Sequence, residues 1–530
     1  MRIAYVQMKI VAGHPDVNTK KMLRFIDEAR TQGADMIIFP DMAVSGLMVN
    51  ELLFENSFIK DCEFFHKELI AASENIFVVL GLNYEDNSPI MFKDGKPFNA
   101  KKLPYRIKFS YGYEDFHGRA KLFVRFFSEP FSIDRLFPLN KVNYPVLRVG
   151  CVGVQNMGKT VYTFDGASAV FNSRGEIVQR AEPFAECLNF IELEEIDNMP
   201  ALEVPEVSEA EEIYRAISYG VKNFLEQIGM SKVVIGVSGG IDSAVAAALY
   251  TKVIGAENVI LVNMPSQFNS TTTKDLSEQL AKNLGCKYYV VPIQESVDWT
   301  VKQLTERGIE VSNFVKENIQ ARDRSARILA AIAASVGGVF TCNANKAETT
   351  VGYATLYGDE AGFLSALADL WKYQVYALAR YMNEKVYGRE VIPQGIIDIV
   401  PSAELSTAQN VDEGKGDPLH YDYHDYLFRA FAEDNITPEE ILTWYVSDEV
   451  EEELDCEKGL VNKYFPTAKD FIEDLERWWK AYKGMGVAKR IQSPPILAVT
   501  VAPYGANPEA QNGAHFTKKY FEIKNKLLAK

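Results

Sequence analysis

The stretch Val233-Val234-Ile235-Gly236-Val237-Ser238-Gly239-Gly240-Ile241-Asp242-Ser243 determines how the second half of the chain is expected to fold. Its β-branched start predicts a buried strand over 233–237, and the alanine-rich residues 244–249 predict a helix after it. The adjacent glycines between them allow the backbone to approach a ligand closely. Free N–H groups at a helix start favour an anion. The stretch therefore predicts a strand, a phosphate-binding loop and a helix.

The loop differs from the common P-loop. The pattern G-x-x-x-x-G-K-[ST] does not fit, and no lysine follows. The sequence S-G-G-I-D-S at 238–243 instead resembles the pyrophosphate loop of enzymes that split ATP into AMP and pyrophosphate. The carboxylate of Asp242 would repel phosphates unless a Mg²⁺ ion lies between them. The resemblance therefore implies ATP and Mg²⁺ as cofactors.

Strands and helices alternate around this loop. Strands are predicted over 259–263 and 287–292, with a helix over 273–284 between them. This order is typical of a doubly wound α/β domain with a parallel sheet. Ligands bind at the carboxyl ends of the strands in such sheets, which is where the phosphate loop is expected.

Length and composition limit the function classes. At 530 residues the chain is long enough for about two to four domains. The net charge of −16 argues against nonspecific binding to nucleic acid or anionic membranes, because both need a basic surface. No apolar run approaches the roughly 18 residues of a membrane span, and the start shows no signal-peptide pattern. The six cysteines are scattered without a C-x-x-C pair, so we expect reduced thiols and a cytoplasmic protein.

Two α/β halves meet at an acidic, proline-containing stretch. We expect a first domain over 1–195, a linker over 196–212 and a second domain over 213–530. In the first half a helical segment is predicted near 19–32, with strands over 3–7, 36–39, 76–80 and 167–171. Residues 101–143 are predicted to be irregular. Within them, the basic aromatic stretch 106–125 is expected to fill space by packing, with partner binding as the alternative.

Several polar motifs follow the phosphate loop. Glu317 is predicted to open a helix that carries Asn318 and Arg322 on one face, although a solvated face is the usual explanation for an isolated arginine. Thr341 and the polar residues after it follow an apolar run and are predicted to lie at a strand end. The other motifs lie at 352–362, 369–372, 401–405 and 489–495.

In this order the motifs resemble the NAD synthetases, specifically the glutamine-dependent type with a fused nitrilase-like glutaminase domain. The resemblance is specific over 230–500 and looser before 200. It implies that ATP adenylates the nicotinate carboxylate of deamido-NAD and that pyrophosphate leaves. Ammonia then attacks the adenylate to give NAD and AMP. The family also assembles as dimers or larger, which implies a homo-oligomer.

The resemblance implies roles for individual residues. Those implied to bind ATP are Ser238, Gly239, Gly240, Asp242, Ser243, Asn343, Lys372 and Ser402, with Asp242 and Lys372 catalytic. Those implied to bind deamido-NAD are Asn318, Arg322, Glu348 and Lys489, and Asp242 and Glu348 are the implied Mg²⁺ ligands. The family usually has Thr-Gly or Thr-Ser before Asn-Lys-Ser-Glu, whereas this chain has Asn343-Ala344 before Asn345-Lys346-Ala347-Glu348. Asn343 can still donate and accept hydrogen bonds.

The first domain lacks parts of a nitrilase-type glutaminase, which needs a Glu base, a Lys and a Cys nucleophile. Asp41, one methylene shorter, stands in Phe39-Pro40-Asp41 where the family has Phe-Pro-Glu. No Cys-Glu-Asp occurs, and Cys62 and Cys151 are interpreted as structural thiols. Lys101 or Lys102 marks the lysine motif only in part. The domain also looks several dozen residues short between about 102 and 127, a deletion that would remove the nucleophile strand.

These gaps predict a degenerate, inactive glutaminase domain, and ammonia, free or delivered by a separate protein, as the nitrogen donor. A glutamine-dependent NAD synthetase with an atypical or partner-supplied glutaminase site is the first alternative. Related synthetases acting on xanthylate or aspartate lack the motifs at 318–322 and 489–492, and the negative charge disfavours a tRNA-thiolating enzyme. A nucleotide-binding regulatory pseudoenzyme suits the damaged first half but not the near-complete second site.

Overall fold

The computed structural model describes residues 1–82, 88–111, 120–133, 135, 143–507 and 509–529. These form two compact units: residues 1–157 with 161–208, and residues 158–160 with 209–530. Part of the basic aromatic stretch, 112–119, lies outside the described residues. Among the described helices, none combines the length and the apolar character that crossing a membrane requires.

Among its described residues, the first unit contains two large sheets and a separate pair of strands, β9 and β10. Its strands are β1 (Arg2–Gln7), β2 (Met36–Ile38), β3 (Phe77–Leu82), β4 (Pro89–Lys93), β5 (Lys96–Pro97), β6 (Ile107–Ser110), β7 (Leu122–Phe127), β8 (Val146–Gly150), β9 (Val152–Met157), β10 (Thr160–Asp165), β11 (Ala169–Phe171), β12 (Ile177–Arg180) and β13 (Cys187–Glu192). One sheet has the order β13-β1-β2-β3-β4-β5, and the other has the order β12-β11-β8-β7-β6. β1, β2 and β3 are parallel, as are β6, β7 and β8.

Helices α1 (Pro15–Thr31) and α2 (Asn56–Ala72) cover one face of the first sheet. On its other face, Ile3, Tyr5 and Ile38 belong to one buried cluster with Leu122 and Val149 of the second sheet. Three short 3₁₀ turns lie at Asn50–Phe54, Ala100–Lys102 and Ile196–Asn198. The predicted α/β character of this unit is confirmed.

The prediction that residues 101–143 are irregular was wrong for β6 and β7. Every residue of β7 is buried, because parallel strands are covered on both faces. Arg125 lies within this apolar run and forms an ion pair with Glu129, 2.8 Å away. A strand is therefore present in the region from which we expected one to be deleted.

The second unit is built on a parallel sheet with the order β16-β15-β14-β17. Its strands are β14 (Val233–Gly236), β15 (Val259–Asn263), β16 (Lys287–Val290) and β17 (Val339–Phe340), and a further strand, β18, spans Ile496–Ala498. The chain runs from β14 to β15 and β16 on one side and later to β17 on the other. β14 therefore lies at a topological switch point, and the predicted doubly wound sheet is confirmed.

Helices α3 (Glu209–Gln227), α4 (Ile241–Ile254), α5 (Thr271–Leu284), α6 (Gln294–Thr305), α7 (Asn313–Arg322), α8 (Ala330–Ser335), α9 (Lys346–Val351), α10 (Lys372–Tyr381) and α11 (Gln394–Asp398) belong to this unit. So do α12 (Tyr421–Ala432), α13 (Pro438–Ser447), α14 (Val450–Glu453), α15 (Leu460–Tyr464), α16 (Ala468–Lys483), α17 (Met485–Gln492) and α18 (Lys518–Leu528). Short 3₁₀ turns occur at Ala256–Asn258, Thr407–Gln409 and Val411–Glu413, and π-helical turns at Asp323–Leu329 and Met382–Val386.

One face of the parallel sheet packs against α6, α8 and the π-helical turn that precedes α8. A separate aromatic core joins α9 to α12, α13 and α16. We had predicted that Glu317 opens a helix, but α7 begins four residues earlier, at Asn313. The hydroxyl of Ser312 caps α7 by accepting from the N–H of Val315.

Candidate active site

The loop after β14 needs its glycines. Gly239 has φ +91°, and a Cβ there would lie 2.4 Å from the carbonyl oxygen of Thr273. Gly240 is the N-cap of α4, and its N–H donates to Ser238 Oγ (3.2 Å) while its carbonyl accepts from Ser243 Oγ (3.0 Å). The hydroxyls of Ser238 and Ser243 thus stabilise a tight turn, after which the first N–H groups of α4 lie at the carboxyl end of the sheet.

A cavity of about 400 Å³ opens at this end of the sheet. The residues with implied roles that line it are Ser238, Gly240, Asp242, Ser243, Asn318, Asn343, Glu348, Lys372, Ser402 and Lys489. Gly239 is not among the lining residues because it packs against Thr273. Arg322 is not among them either, and its Nε donates to the carbonyl of Leu356 (3.0 Å).

Lys372, the first residue of α10, connects two carboxylates in the cavity wall. Its Nζ lies 2.6 Å from Asp242 Oδ2 and 3.5 Å from Glu348 Oε1. Asn345 caps α9 and also bonds to one of the carboxylates: its Oδ1 accepts from the backbone N–H of Glu348 (3.1 Å), and its Nδ2 donates to Asp242 Oδ1 (3.1 Å). The side chains of this cluster are mostly buried, so their charges act strongly on one another.

These charges shift the pKa values of the cluster. Burial acts to lower the pKa of the Lys372 ammonium, but the carboxylates of Asp242 and Glu348 outweigh burial and raise it. Burial raises the pKa of Glu348 to about 7, and Asp242 and Asp417 act in the same direction against the attraction of Lys372. The ammonium is therefore firmly charged, whereas Glu348 can change protonation near neutral pH.

The donor set suits Mg²⁺, which is typically bound by one or two carboxylates together with substrate phosphates and water. Asp242 and Glu348 supply two carboxylates beside the phosphate-type loop. Within the part of the chain that the structure describes, no group of three or more His, Cys, Asp or Glu side chains is arranged to hold a metal. The remaining ligands would have to come from a nucleotide and from water.

Other predicted residues in the cavity wall make bonds to the backbone. Asn343 Nδ2 donates to the carbonyl of Gly236 (3.2 Å), and its Oδ1 accepts from Thr341 Oγ1 (2.8 Å). Ser402 Oγ donates to the carbonyl of Gln409 (2.7 Å). Asn318 donates to the carbonyl of Phe314, one turn earlier in α7.

Lys489 Nζ donates to the carbonyls of Gly352 and Ala354, at 2.7 and 2.6 Å. Burial lowers the pKa of this ammonium. Lys489 therefore fixes the turn at 352–354 to α17 at the edge of the cavity.

Two groups near the cluster were missed in the sequence. Tyr421 OH donates to Glu348 Oε1 (3.2 Å), and Asp417, which lines the cavity, accepts from Tyr353 OH (3.1 Å) and Gln409 Nε2 (3.2 Å). No motif marks either one. The neighbouring acidic pair lies outside the cavity wall: Asp412 accepts from Thr272 Oγ1 (2.7 Å), and Glu413 pairs with Lys415.

Asp41 and Cys151, the two residues of the first unit compared with a glutaminase site, are both buried. Asp41 is buried, and its Oδ1 accepts from Tyr111 OH (3.0 Å). Gly81, with φ +122°, lies so close that a Cβ there would be 2.2 Å from Asp41 Oδ1. Cys151, between β8 and β9, is buried, and burial raises the pKa of its thiol to about 12. Because the thiolate is the nucleophilic form, this thiol is poorly suited to attack a substrate.

Cys62 lies on α2, and burial raises the pKa of its thiol as well. Lys101 and Lys102 are exposed in a 3₁₀ turn. The structure gives these two lysines no bond from their side chains to Asp41 or Cys151 among the described contacts.

Comparison with known proteins finds relatives of both halves of the chain. Residues 213–457 match the NAD synthase family, and residues 2–102 match the carbon–nitrogen hydrolase family. The glutamine-dependent NAD(+) synthetase of Aquifex aeolicus is 28% identical over 83% of this chain and 91% of its own length. That of Acinetobacter baylyi is 28% identical over 86% of this chain and 92% of its own length.

A solved glutamine-dependent NAD(+) synthetase from Cytophaga hutchinsonii has the same fold, with a TM-score of 0.76 at 14% identity and 99% coverage of both chains. The chain therefore combines an NAD synthase domain over residues 213–457 with a carbon–nitrogen hydrolase-like domain fused before it, which is the architecture of the glutamine-dependent NAD(+) synthetases that it resembles.

Proposed function

We propose that this chain makes NAD by ATP-dependent amidation of deamido-NAD. ATP adenylates the nicotinate carboxylate, pyrophosphate leaves, and ammonia displaces AMP. The observation that carries this proposal is the cavity at the switch point. There, Asp242 of the loop Ser238–Ser243 forms a cluster with Lys372 and Glu348. A free carboxylate acylates poorly, so the mixed anhydride with AMP supplies the leaving group that amidation needs.

Within this proposal, the loop and Lys372 bind the ATP phosphates. The N–H groups at the start of α4 and the charged ammonium stabilise the negative charge that develops on pyrophosphate. Asp242 and Glu348 would hold Mg²⁺, which when bound would offset charge on the departing pyrophosphate. The further residues proposed for ATP are Asn343 and Ser402, and those proposed for deamido-NAD are Asn318, Arg322, Glu348 and Lys489.

We propose ammonia, free or delivered by a separate protein, as the nitrogen donor. The buried Cys151 thiol and the short Asp41 carboxyl, already bonded to Tyr111, support this choice. The curated relatives are named glutamine-dependent, so the alternative of a glutamine-dependent enzyme with an atypical or partner-supplied glutaminase site is at least as well supported. By resemblance to the family, we also expect a homo-oligomer, a dimer or larger, which light scattering of the purified protein tests.

The nitrogen donor is decided by assaying the purified protein with ammonium and with glutamine in separate reactions. The proposal predicts NAD formation with ammonium, little with glutamine, and no change with ammonium in Cys151→Ala. Robust glutamine-dependent activity of the pure protein that is lost in Cys151→Ala would refute the choice of ammonia. Thermal unfolding of Cys151→Ala controls for loss of the fold.

A further inference from the structure

Glu404 is a buried carboxylate that organises the loop between β15 and α5. It is only 2% exposed, and its oxygens accept from the N–H of Ser270 (3.1 Å) and from Thr273 Oγ1 (2.7 Å). A third bond comes from Asn269 Nδ2, at 3.3 Å. Glu404 has φ +45°, a conformation that costs a non-glycine residue energy. The surrounding bonds evidently hold it in this strained position.

Asn269 links Glu404 to Arg324 by hydrogen bonds. Asn269 Oδ1 accepts from an NH2 group of Arg324 (3.2 Å) and from the N–H of Ser266 (2.8 Å). Arg324 Nε donates to the carbonyl of Met264, directly after β15 (3.0 Å). Both Asn269 and Arg324 line the cavity. The guanidinium is therefore held at the carboxyl end of the strand that neighbours β14 and its phosphate-type loop.

The hydrogen bonds of Arg324 to Met264 and Asn269 do not neutralise its positive charge. Both bonds go to neutral oxygens, although a guanidinium has five N–H donors and binds anions best in a bidentate manner. Burial lowers the pKa of Arg324 to about 10, against the attraction of Asp359, Asp323 and Glu404 through space. Arg327, three residues later, instead forms an ion pair with Asp323 at 2.5 Å.

The local helix geometry also singles out Arg324. It lies in the π-helical turn Asp323–Leu329, between α7 and α8. A π-helical turn in an α-helix is rare and is found frequently at functional sites. The turn, the anchoring bonds and the position in the cavity wall all concern the same side chain.

We propose that Arg324 binds the phosphate groups of the nucleotide in this cavity, and that Glu404 is a positioning residue that acts on Arg324 through Asn269. The first part rests on the proposed function only in taking ATP as the nucleotide. An anion in this place would satisfy the guanidinium donors that the protein leaves open. If Arg324 binds the phosphates, its loss weakens binding of ligands that carry phosphates more than binding of adenosine. This distinguishes the proposed role from stacking of Arg324 on adenine.

The test is equilibrium binding of ATP, inorganic pyrophosphate and adenosine to the full chain by calorimetry. Because hydrogen bonds to charged groups are strong, Arg324→Gln is expected to weaken ATP and pyrophosphate about 10-fold or more and adenosine less than twofold. The matched control, Arg327→Gln, changes none of them. Unchanged ATP binding in Arg324→Gln, or an equal loss for adenosine, would overturn the proposal. A wild-type protein that binds ATP but forms no NAD refutes the proposed function alone.

The positioning role is tested with a double-mutant cycle. If Glu404 acts through Arg324, Glu404→Gln weakens ATP binding in wild type but has little further effect in Arg324→Gln. Equal losses in both backgrounds would show a general structural role and overturn it. Asn269→Ala provides the same test while keeping the bonds of Glu404 to Ser270 and Thr273, and it replaces Glu404→Gln if thermal unfolding shows that variant to be misfolded.

Discussion

Lys372 Nζ lies 2.6 Å from Asp242 Oδ2, although 130 residues separate them. The same ammonium is 3.5 Å from Glu348, so the two proposed Mg²⁺ ligands share one cation supplied by the protein. Without this ammonium, the two carboxylates would repel each other in the buried cavity wall. The cluster thereby connects the first turn of α4 to the first residues of α9 and α10.

Asp242→Ala is expected to abolish NAD formation while leaving the fold intact. Lys372 keeps Glu348 as a partner in this variant, so the protein loses a phosphate-side carboxylate without gaining an unpaired charge. Steady-state assays together with thermal unfolding check this. Asp275→Ala, an exposed carboxylate on α5, is the control and should retain full activity. Turnover retained in Asp242→Ala would mean that Mg²⁺ is held elsewhere.

Gly239→Ala is expected to abolish ATP binding. An added Cβ would lie 2.4 Å from the Thr273 carbonyl, so the loop has to move away from α5. Gly285→Ala is a close control because Gly285 also has positive φ but nothing lies within 4 Å of its added Cβ. The control should lose only about 1 kcal/mol of stability and bind ATP normally. Equal ATP affinities in the two variants would contradict the role assigned to the loop.

Lys346→Met is expected to lower the free energy of unfolding by about 3–5 kcal/mol, because it leaves buried carboxylates without their cation. Lys346 is fully buried, and its Nζ lies 2.8 Å from Asp369 and 2.7 Å from Glu433. Lys282→Met, which removes an exposed lysine, should change stability by less than about 1 kcal/mol. Denaturant unfolding measures both, and similar small losses would argue against a structural role for this motif lysine.

Compared with the wild type, the Glu360→Gln variant is expected to become more stable as the pH rises. Glu360 is 5% exposed, and burial, then Asp359, raises the pKa of its carboxyl from the ordinary 4.5 to about 8. Between these values the folded wild type holds a proton that the unfolded chain has lost. Wild-type stability therefore falls across this window by up to about 1.4 kcal/mol per pH unit relative to the variant. Parallel stability curves from pH 5 to 8 would contradict this.

The strand, loop and helix at 233–254 could be predicted from sequence because strand propensity, paired glycines and an alanine-rich helix agree locally. β7 was missed because Arg125 interrupts its apolar run, and only the partner Glu129 and the neighbouring strands explain a buried arginine there. The start of α7 was missed although Ser312 is a good N-cap residue, because the charged residues after it suggested a later helix start.

The cluster around Lys372 was predictable only as separate motifs. Its residues come from three helix starts, and the distances between them depend on how those helices pack. Asp417, in the irregular segment before α12, and Tyr421, the first residue of α12, carry no motif at all. Arg324 was visible in the sequence, but nothing there distinguished it from Arg327, whose side chain is paired with Asp323.

The most direct test of the central claim is AMP release by the purified protein with ATP, Mg²⁺ and ammonium, with and without deamido-NAD. Adenylation of the nicotinate carboxylate predicts AMP and NAD in equal amounts, and neither product when deamido-NAD is left out. AMP release that does not depend on deamido-NAD, or that responds to another carboxylate acceptor, would contradict the account.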